Sequence, residues 1–277
     1  MSAQPAGASE QLADATYGSR PYGLVHAEWL KLWKRRGLFS TVFSTTVGVE
    51  ILVFGLPAIL HAVNPAHQDP AGGIENLGHG ILILNLLGAV AATVVGATVG
   101  AGDLSAGVFR ELVATGRPRI ALFAARIPGG LAYLLPFTAV AYAVAAIGSK
   151  TANGSLAAPS GTLLIESGLW VLAGAAFYFV AGLGLASLIA SRSITIGILL
   201  AWHLIVARLI TSVNFLGIFR EIAPEIHFSR LAPAALGHSV RDSATVPTSL
   251  TAAITVPLLW IVVWFGAGAW RTVTRDA

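Results

Sequence analysis

The sequence predicts an all-α membrane protein with six transmembrane helices. Its composition, its apolar runs and the placement of its basic residues all favour this fold. Of the 277 residues, 55% are apolar and only 11% are charged, and the mean hydropathy is +0.75. An ordinary soluble domain carries about a quarter charged residues, so this chain has too few polar side chains to cover a globular surface. A soluble enzyme is therefore excluded, and the absence of cysteine also excludes disulfides and thiolate metal sites.

Three segments follow one another along the chain. Residues 1–20 are rich in Ala, Gly, Ser and Gln, lack the apolar run of a signal peptide, and predict a disordered cytoplasmic tail. Residues 21–37 predict a short helix. Residues 38–277 contain six apolar stretches of the ~20 residues that cross a bilayer as a helix. The predicted spans cover residues 38–60, 81–101, 120–147, 161–190, 194–213 and 250–270.

The helix predicted over residues 21–37 is basic and amphipathic. Its apolar stripe consists of Val25, Trp29, Leu32 and Trp33. The polar residues that we expect to face mostly away from this stripe are Glu28, Lys31, Lys34 and Arg35. A short basic helix with two tryptophans beside a span is typical of a helix that lies flat among lipid headgroups. The alternative is that this segment is simply the charged flank of the first span.

Two of the predicted spans carry residues that govern helix packing. The second span contains small residues at intervals of four, which let another helix backbone approach closely: Gly88, Ala92, Gly96 and Gly100. We therefore expect the second span to be buried in the bundle. The third span contains residues that predict kinks or a break: Pro128, Gly129, Gly130 and Pro136.

The basic residues are distributed unequally over the loops, and we interpret this charge as topology rather than as a nucleic-acid site. Excess Lys and Arg normally mark the cytoplasmic side, so both termini are predicted to be cytoplasmic. The proposed inside holds Arg20, Lys31, Lys34, Arg35, Arg36, Arg110, Arg117, Arg119, Arg126, Arg192, Arg271 and Arg275. The proposed outside holds only Lys150, Arg220, Arg230 and Arg241. Prolines and apolar patches in the outside segment 214–248 predict that it dips back into the membrane edge.

The polar stretch between the second and third spans, residues 102–119, predicts a short helix on the inner face. Asp103 or Ser105 can cap its start, and Gly116 followed by Pro118 ends it. Its short apolar face consists of Val108, Phe109, Leu112 and Val113. The alternative is an ordinary basic loop.

This stretch resembles the first cytoplasmic loop of the ABC-2 permeases, the membrane subunits of type 2 ABC exporters. That loop has an acidic residue followed by a Gly, an Arg, a Leu, an Ala-Thr pair and a closing Arg. The residues that match at the same spacing are Asp103, Gly107, Arg110, Leu112, Ala114, Thr115 and Arg119. Val108 and Gly116 depart from the pattern, since Thr and Pro are common there. The basic helix before the first span also looks like the connecting helix of this family.

The resemblance implies a dimer of permease subunits, either a homodimer or a heterodimer, in a bacterial cell membrane. Each subunit would engage a separate cytoplasmic ATPase that holds ATP and Mg, while this chain itself would bind no cofactor, metal or nucleic acid. The implied ATPase-coupling residues are Asp103, Gly107, Arg110, Glu111, Thr115, Arg117 and Arg119. The implied residues of the interfacial helix are Glu28, Trp29, Lys31, Trp33 and Arg35. An amphipathic or hydrophobic substrate would pass along the dimer interface.

Ionisable residues inside the predicted spans form a second candidate site. Glu50, His203 and Arg208 lie where a charge is costly, so they are expected to face cavities or one another. They either hold helices in register as an ion pair or line a substrate path. Similar depths, about 18 and 21 Å from the cytoplasmic side, predict a pair between Glu50 and Arg208.

The sequence also weighs against other functions. None of its lysines follows a glycine, so the Gly-Lys-Ser/Thr loop that cradles ATP phosphates is missing and the chain cannot power itself. An ATP-independent secondary transporter or channel is the alternative. A membrane enzyme is disfavoured because no nucleophile, metal cluster or paired carboxylate converges in the sequence.

Overall fold

The computed structural model describes residues 21–105, 107–114, 116, 118–237 and 248–274, and within them the chain forms helices and no strand. Six of these helices are long and apolar enough to cross a membrane. We number them spans 1 to 6: Arg36–Val63, Ile74–Leu104, Arg119–Thr151, Gly161–Ile189, Arg192–Ser212 and Leu250–Thr274. Their length and composition are those of a multi-pass membrane protein. The predicted tail at residues 1–20 lies outside the described residues.

The prediction of six spans is confirmed, and each observed span contains the middle of a predicted one. The largest difference is at span 2, which begins at Ile74 rather than near residue 81. Its first turn is held by the end of span 3 and the loop that follows it, because Gly73 N donates to Ser149 O at 2.7 Å and Ile74 N donates to Ala157 O at 3.0 Å. These backbone hydrogen bonds stabilise the helical turns before residue 81, whose polar side chains place them outside the apolar run from which the span was predicted.

Of the kinks or break that we expected in span 3, the break is absent. One α-helix runs from Arg119 to Thr151 with Pro128 and Pro136 inside it. Its two adjacent glycines instead allow close packing. A Cβ on Gly129 would lie 2.6 Å from Glu28 Cβ, and a Cβ on Gly130 would collide with the Phe179 ring. Tertiary packing on both glycines thus offsets their weak helix propensity.

Two spans contain a short π-helical stretch, Ser44–Gly48 in span 1 and Trp202–Val206 in span 5. A π turn changes which side chains face inward, and such turns are frequent at functional sites. Glu50 lies two residues after the first stretch, and His203 lies within the second.

Spans 2 and 4 form the centre of the bundle, which confirms that span 2 is buried. In each of these two spans, 67% of the most apolar 18-residue stretch is buried, against 11% in span 6. A Cβ on Gly96 would collide with the Phe179 carbonyl, and one on Gly182 would lie 2.8 Å from Thr93 O. The two backbones approach this closely because glycine has no side chain at these positions.

The two ends of the bundle carry different short elements. One end, which we name the basic end, gathers the N-terminal helix Pro21–Trp33, the short loop helix Phe109–Ala114 and the adjoining ends of spans 2, 3 and 6. The other end carries the 214–237 segment, which packs against spans 4, 5 and 6. This segment contains three short helices: Asn214–Ile222, Pro224–Leu231 and Ala234–Leu236.

Candidate functional site

A group of charged side chains at the basic end joins three elements of the fold. Asp103, near the end of span 2, accepts hydrogen bonds from Lys31 Nζ at 3.0 and 3.2 Å. Arg126 Nη2 of span 3 donates to the same carboxylate at 2.9 Å. Because Lys31 belongs to the N-terminal helix, a single carboxylate connects that helix to spans 2 and 3. We refer to Asp103, Lys31, Arg126 and Glu28 as the charged cluster.

Burial makes the contact between Asp103 and Arg126 the dominant one in the charged cluster. The Arg126 side chain is 1% exposed and that of Asp103 is 12% exposed, whereas Lys31 is 41% exposed. Removing one partner of a buried pair strands the other charge and costs about 3–5 kcal/mol, while an exposed pair contributes less than about 1 kcal/mol. The buried pair therefore fixes spans 2 and 3 relative to each other. Arg126 was not predicted as a site residue, because the sequence showed it only as one of the basic residues that indicate the cytoplasmic side.

Glu28 completes the charged cluster from the N-terminal helix. Lys31 Nζ lies 2.6 Å from its Oε1. Burial raises the pKa of the Glu28 carboxyl above its ordinary value, and the nearby charge of Lys31 opposes this shift without cancelling it. Glu28, which was expected to face mostly away from the apolar stripe of its helix, faces span 3. The lack of a side chain on Gly129 lets the helix lie close to span 3, with Glu28 between them.

A helix is present at Pro21–Trp33, within the predicted segment 21–37, and it packs against span 3, whereas its position flat among lipid headgroups stays a prediction. Trp29 and Trp33 stack with ring centroids 5.6 Å apart, and Trp33 meets Tyr133 edge-on at 6.1 Å. Leu32 is buried, whereas Trp33 stays 48% exposed. Arg35 is exposed in the break between this helix and span 1. The aromatic side chains thus add an apolar contact to the charged one.

The short helix predicted between spans 2 and 3 is present at Phe109–Ala114. Gly107 and Gly116 flank it with φ angles of 71° and 80°. These angles lie in the left-handed region, which glycine adopts without the steric cost that a Cβ brings. Glu111 is exposed on the helix. Three implied coupling positions lie outside the described structure: Thr115, Arg117 and the side chain of Arg110.

Two further residues of the family-like motif make contacts within the bundle. Asp103 does not cap the short helix, because the helix of span 2 continues to Ser105 and the Asp103 carboxylate is taken up by Lys31 and Arg126. Arg119 begins span 3, and its Nη1 donates to Val273 O at 3.1 Å, close to the end of span 6. Both side chains therefore connect helices at the basic end.

Glu50 is a buried carboxyl group in span 1. The residue is 0% exposed, and among the described residues neither of its carboxyl oxygens has a hydrogen-bond partner. It faces span 2, where a Cβ on Gly80 would lie 3.1 Å from Glu50 Oε2. The predicted ion pair with Arg208 is wrong, because Arg208 lies on an exposed face of span 5.

A second polar group lies where the 214–237 segment meets spans 4 and 5. Glu225 Oε1 accepts hydrogen bonds from Trp202 Nε1 at 3.0 Å and from the Tyr178 hydroxyl at 3.4 Å. His203 Nδ1 lies 3.9 Å from the same oxygen, and the Tyr178 ring packs edge-on against the imidazole at 4.7 Å. His203 was predicted as an ionisable residue inside a span, whereas Glu225 was not predicted, because Glu225 lies outside the apolar runs.

The 214–237 segment folds back beside the spans, while its position at the membrane edge stays a prediction. Trp170 Nε1 of span 4 donates to Phe228 O at 2.7 Å, and Trp260 Nε1 of span 6 donates to Ile222 O at 3.0 Å. Trp170 is nine residues beyond Gly161, the first residue of span 4, which corresponds to about 14 Å along the helix. Indole N–H groups from three spans thus hold this segment.

Comparison with known proteins supplies no relative: no family model matches the chain, and no curated protein is significantly similar to it. The fold itself defines the class as a helical protein with six candidate membrane spans. Within the described residues, two groups of polar side chains lie at opposite ends of the bundle: the charged cluster and the group around Glu225.

Proposed function

We propose that the chain is the membrane-spanning permease subunit of an ABC exporter of the ABC-2 type. It moves an amphipathic or hydrophobic substrate across a bacterial cell membrane with ATP that a separate cytoplasmic subunit hydrolyses. The observation that carries this proposal is the meeting, at the basic end, of the family-like loop with a buried charged cluster. Asp103 belongs to both, since it begins the motif and binds Lys31 and Arg126.

The charged cluster supports the proposal because it gives a movement at the loop a route into the bundle. Asp103 lies four residues before Gly107, where the chain turns toward the short helix. A partner that displaces the short helix also displaces the end of span 2. The buried pair with Arg126 passes that displacement to span 3, and Lys31 passes it to the N-terminal helix.

The distribution of charge supports a cytoplasmic position for the basic end. Lys31, Arg119 and Arg126 all lie there, and an excess of Lys and Arg is typical of cytoplasmic loops. The short helix presents Glu111 to the outside of the bundle. An ATPase subunit that binds this helix meets an exposed acidic side chain at its centre.

The outer spans support a second permease subunit as a partner. Spans 1, 5 and 6 bury only 22%, 17% and 11% of their most apolar 18-residue stretches. Their exposed faces contact lipid or a second subunit, and the substrate passes along the interface between the two subunits.

An ATP-independent secondary transporter is the second candidate function, and Glu50 is the observation that favours it. Buried ionisable residues without a partner in a span mark ion and proton pathways in such proteins. The two functions differ in whether an ATPase accompanies the chain.

The test is to purify the tagged chain from its native host in mild detergent and to measure the hydrolysis of Mg-ATP that accompanies it. The exporter proposal predicts hydrolysis with the unaltered chain. It also predicts a loss of about tenfold or more in the double variant Arg110→Ala/Glu111→Ala, because each charged hydrogen bond contributes roughly 1.5–3 kcal/mol. Glu75→Ala is the matched control, since Glu75 is exposed at the opposite end. Hydrolysis that is absent from the unaltered preparation, or equal in all three, contradicts the proposal.

A further inference from the structure

The junction between span 5 and the 214–237 segment holds an acid and a base that are buried together. His203 Nδ1 and Glu225 Oε1 are 3.9 Å apart, and the two side chains are 12% and 18% exposed. His203 belongs to the span, whereas Glu225 belongs to the segment. We refer to this contact as the His203–Glu225 junction.

The junction has unused hydrogen-bonding capacity. Within the described residues, both ring nitrogens of His203 and Oε2 of Glu225 are buried without a hydrogen-bond partner. Buried polar atoms in native proteins are ordinarily paired, so an unpaired acid and base side by side need an explanation. A proton supplies one, because an imidazolium carries an N–H donor on each ring nitrogen and a charge opposite to the carboxylate. An approach of about 1 Å would then form a charge-assisted hydrogen bond of about 2.7–2.9 Å.

Two successive side chains in the π-helical stretch of span 5 reach the same carboxylate. Trp202 and His203 are neighbours in the chain, and in a regular α-helix neighbouring side chains point about 100° apart. Here Trp202 Nε1 lies 3.0 Å from Glu225 Oε1 while His203 Nδ1 lies 3.9 Å from it. The indole of Trp202 neither gains nor loses a charge, so His203 is the one of these two side chains that can change its charge.

The elements packed around the junction bring few other ionisable groups to it. From span 4, Tyr178 contacts both His203 and Glu225, and the only other ionisable residue of that span, Glu166, is exposed near its start. Span 6 has no ionisable residue before Arg271, which lies near its last residue at the basic end. On span 5 itself, Arg192 and Arg208 are exposed.

The 214–237 segment carries four other ionisable side chains: Arg220, Glu221, His227 and Arg230. His227 Nε2 is 2.6 Å from Glu221 O, and Arg220 Nη1 donates to Thr211 O at 3.4 Å. Arg230 is exposed. A change of charge at the junction is therefore felt mainly between His203 and Glu225.

We propose that the His203–Glu225 junction is a proton-binding site that holds the 214–237 segment against span 5. With His203 protonated, its charge attracts the Glu225 carboxylate and the segment is docked. Loss of the proton removes the attraction but leaves the contacts made by the tryptophans, by Tyr178 and by the apolar side chains of the segment, so the segment opens more often. Histidine is the side chain whose charge ordinarily changes between pH 5 and 8, so measurements at pH 6 and pH 8 test the proposed site. This inference does not depend on the proposed function.

Because the chain contains no cysteine, a single introduced thiol reports on this opening. Ala223 is 1% exposed and lies two residues before Glu225, whereas Ala234 is exposed on the same segment. The full chain carrying Ala223→Cys, in lipid nanodiscs, is labelled with N-ethylmaleimide at pH 6 and pH 8. Each rate is divided by that of the Ala234→Cys chain at the same pH, which removes the intrinsic effect of pH on the thiol. The ratio is expected to rise about tenfold from pH 6 to pH 8.

Variants of the junction identify the groups responsible. In the Ala223→Cys background, His203→Gln and Glu225→Gln should each abolish the pH dependence and leave the labelling ratio high at both pH values. His203→Arg, which carries a permanent charge, should keep the ratio low at both. His79→Gln is the control, because His79 is exposed at the same end of the bundle, and it should retain the full response. A ratio that is equal at pH 6 and pH 8 in the chain with His203 intact, or a response that persists in folded His203→Gln or His203→Arg protein, overturns the proposal.

Discussion

Asp103 and Arg126 form a buried ion pair of 2.9 Å between the end of span 2 and the beginning of span 3. The loop between them carries the short helix Phe109–Ala114, so the pair closes the base of that loop. Lys31 reaches the same carboxylate from the N-terminal helix. Spans 2 and 3 therefore cannot move independently at the basic end while this pair is intact.

Neutralising one member of this pair should be much worse than neutralising both. Asp103→Asn or Arg126→Met removes one charge of the buried pair and leaves the other in place, which is expected to cost about 3–5 kcal/mol of unfolding free energy. The double variant should recover most of that loss. Unfolding in denaturant, followed by circular dichroism in detergent, measures all three. Lys31→Met is the control, expected to cost under about 1 kcal/mol because Lys31 is 41% exposed. A double variant as unstable as the sum of the two single ones would contradict the pairing.

Glu28 should make stability depend on pH in a direction that its burial sets. Burial raises the pKa of Glu28 in the folded chain above the ordinary 4.5, so the folded state binds more protons than the unfolded state. The contribution of Glu28 is therefore fully present below pH 4.5 and is lost as pH rises through the raised pKa. Thermal unfolding between pH 4 and pH 7 should show the unaltered chain losing stability relative to Glu28→Gln as pH rises. Glu111→Gln, at an exposed position, should follow the unaltered chain throughout.

The glycines of span 2 should differ in their tolerance of a methyl group. A Cβ on Gly96 would collide with the carbonyl of Phe179, whereas a Cβ on Gly88 would meet only Leu84 Cδ1 at 3.8 Å. Gly96→Ala is expected to destabilise the fold by about 1–3 kcal/mol. Gly88→Ala should be neutral or slightly stabilising, because alanine favours a helix. Equal thermal unfolding temperatures for the two variants would show that spans 2 and 4 do not pack through Gly96.

Most of the fold was predictable because the length of a span and the spacing of its small residues can be identified from residues that are close together in the sequence. The six apolar runs and the four-residue spacing of Gly96 and Gly100 predicted the spans and the burial of span 2. Of the kinks or break predicted for span 3, the break was wrong, because Gly129 and Gly130 were interpreted without the neighbours that pack on them. Propensity is local, whereas the packing that overrides it comes from residues far away in the chain.

The candidate site was less predictable, because its contacts join distant parts of the sequence. Asp103 was identified from its motif, but its partners Lys31 and Arg126 lie 72 and 23 residues away. His203 was identified as an ionisable residue in a span, yet Glu225 reaches it only because the 214–237 segment folds back. The pair of Glu50 with Arg208 was inferred from depth alone, and depth does not determine which face of a helix a side chain occupies.

Glu50 and Arg208 should accordingly act independently. In a double-mutant cycle with Glu50→Gln and Arg208→Gln, the two changes in unfolding free energy are expected to add to within about 0.5 kcal/mol. The same cycle on Asp103 and Arg126 serves as the positive control and should show strong coupling. A coupling above about 1 kcal/mol between Glu50 and Arg208 would mean that the two side chains meet after all.

The most direct test of the account is to find what binds the short helix at Phe109–Ala114. A photo-cross-linking amino acid is placed at Glu111 or, as the control, at Glu75, which is exposed at the other end of the bundle. Cross-links are formed in native membranes, and the attached polypeptide is sequenced by mass spectrometry. The account predicts that position 111 captures a polypeptide containing a Gly-Lys-Ser/Thr phosphate-binding loop and that position 75 does not. Capture from position 111 of only polypeptides without a nucleotide-binding loop, or of the same ATPase from both positions, would contradict it.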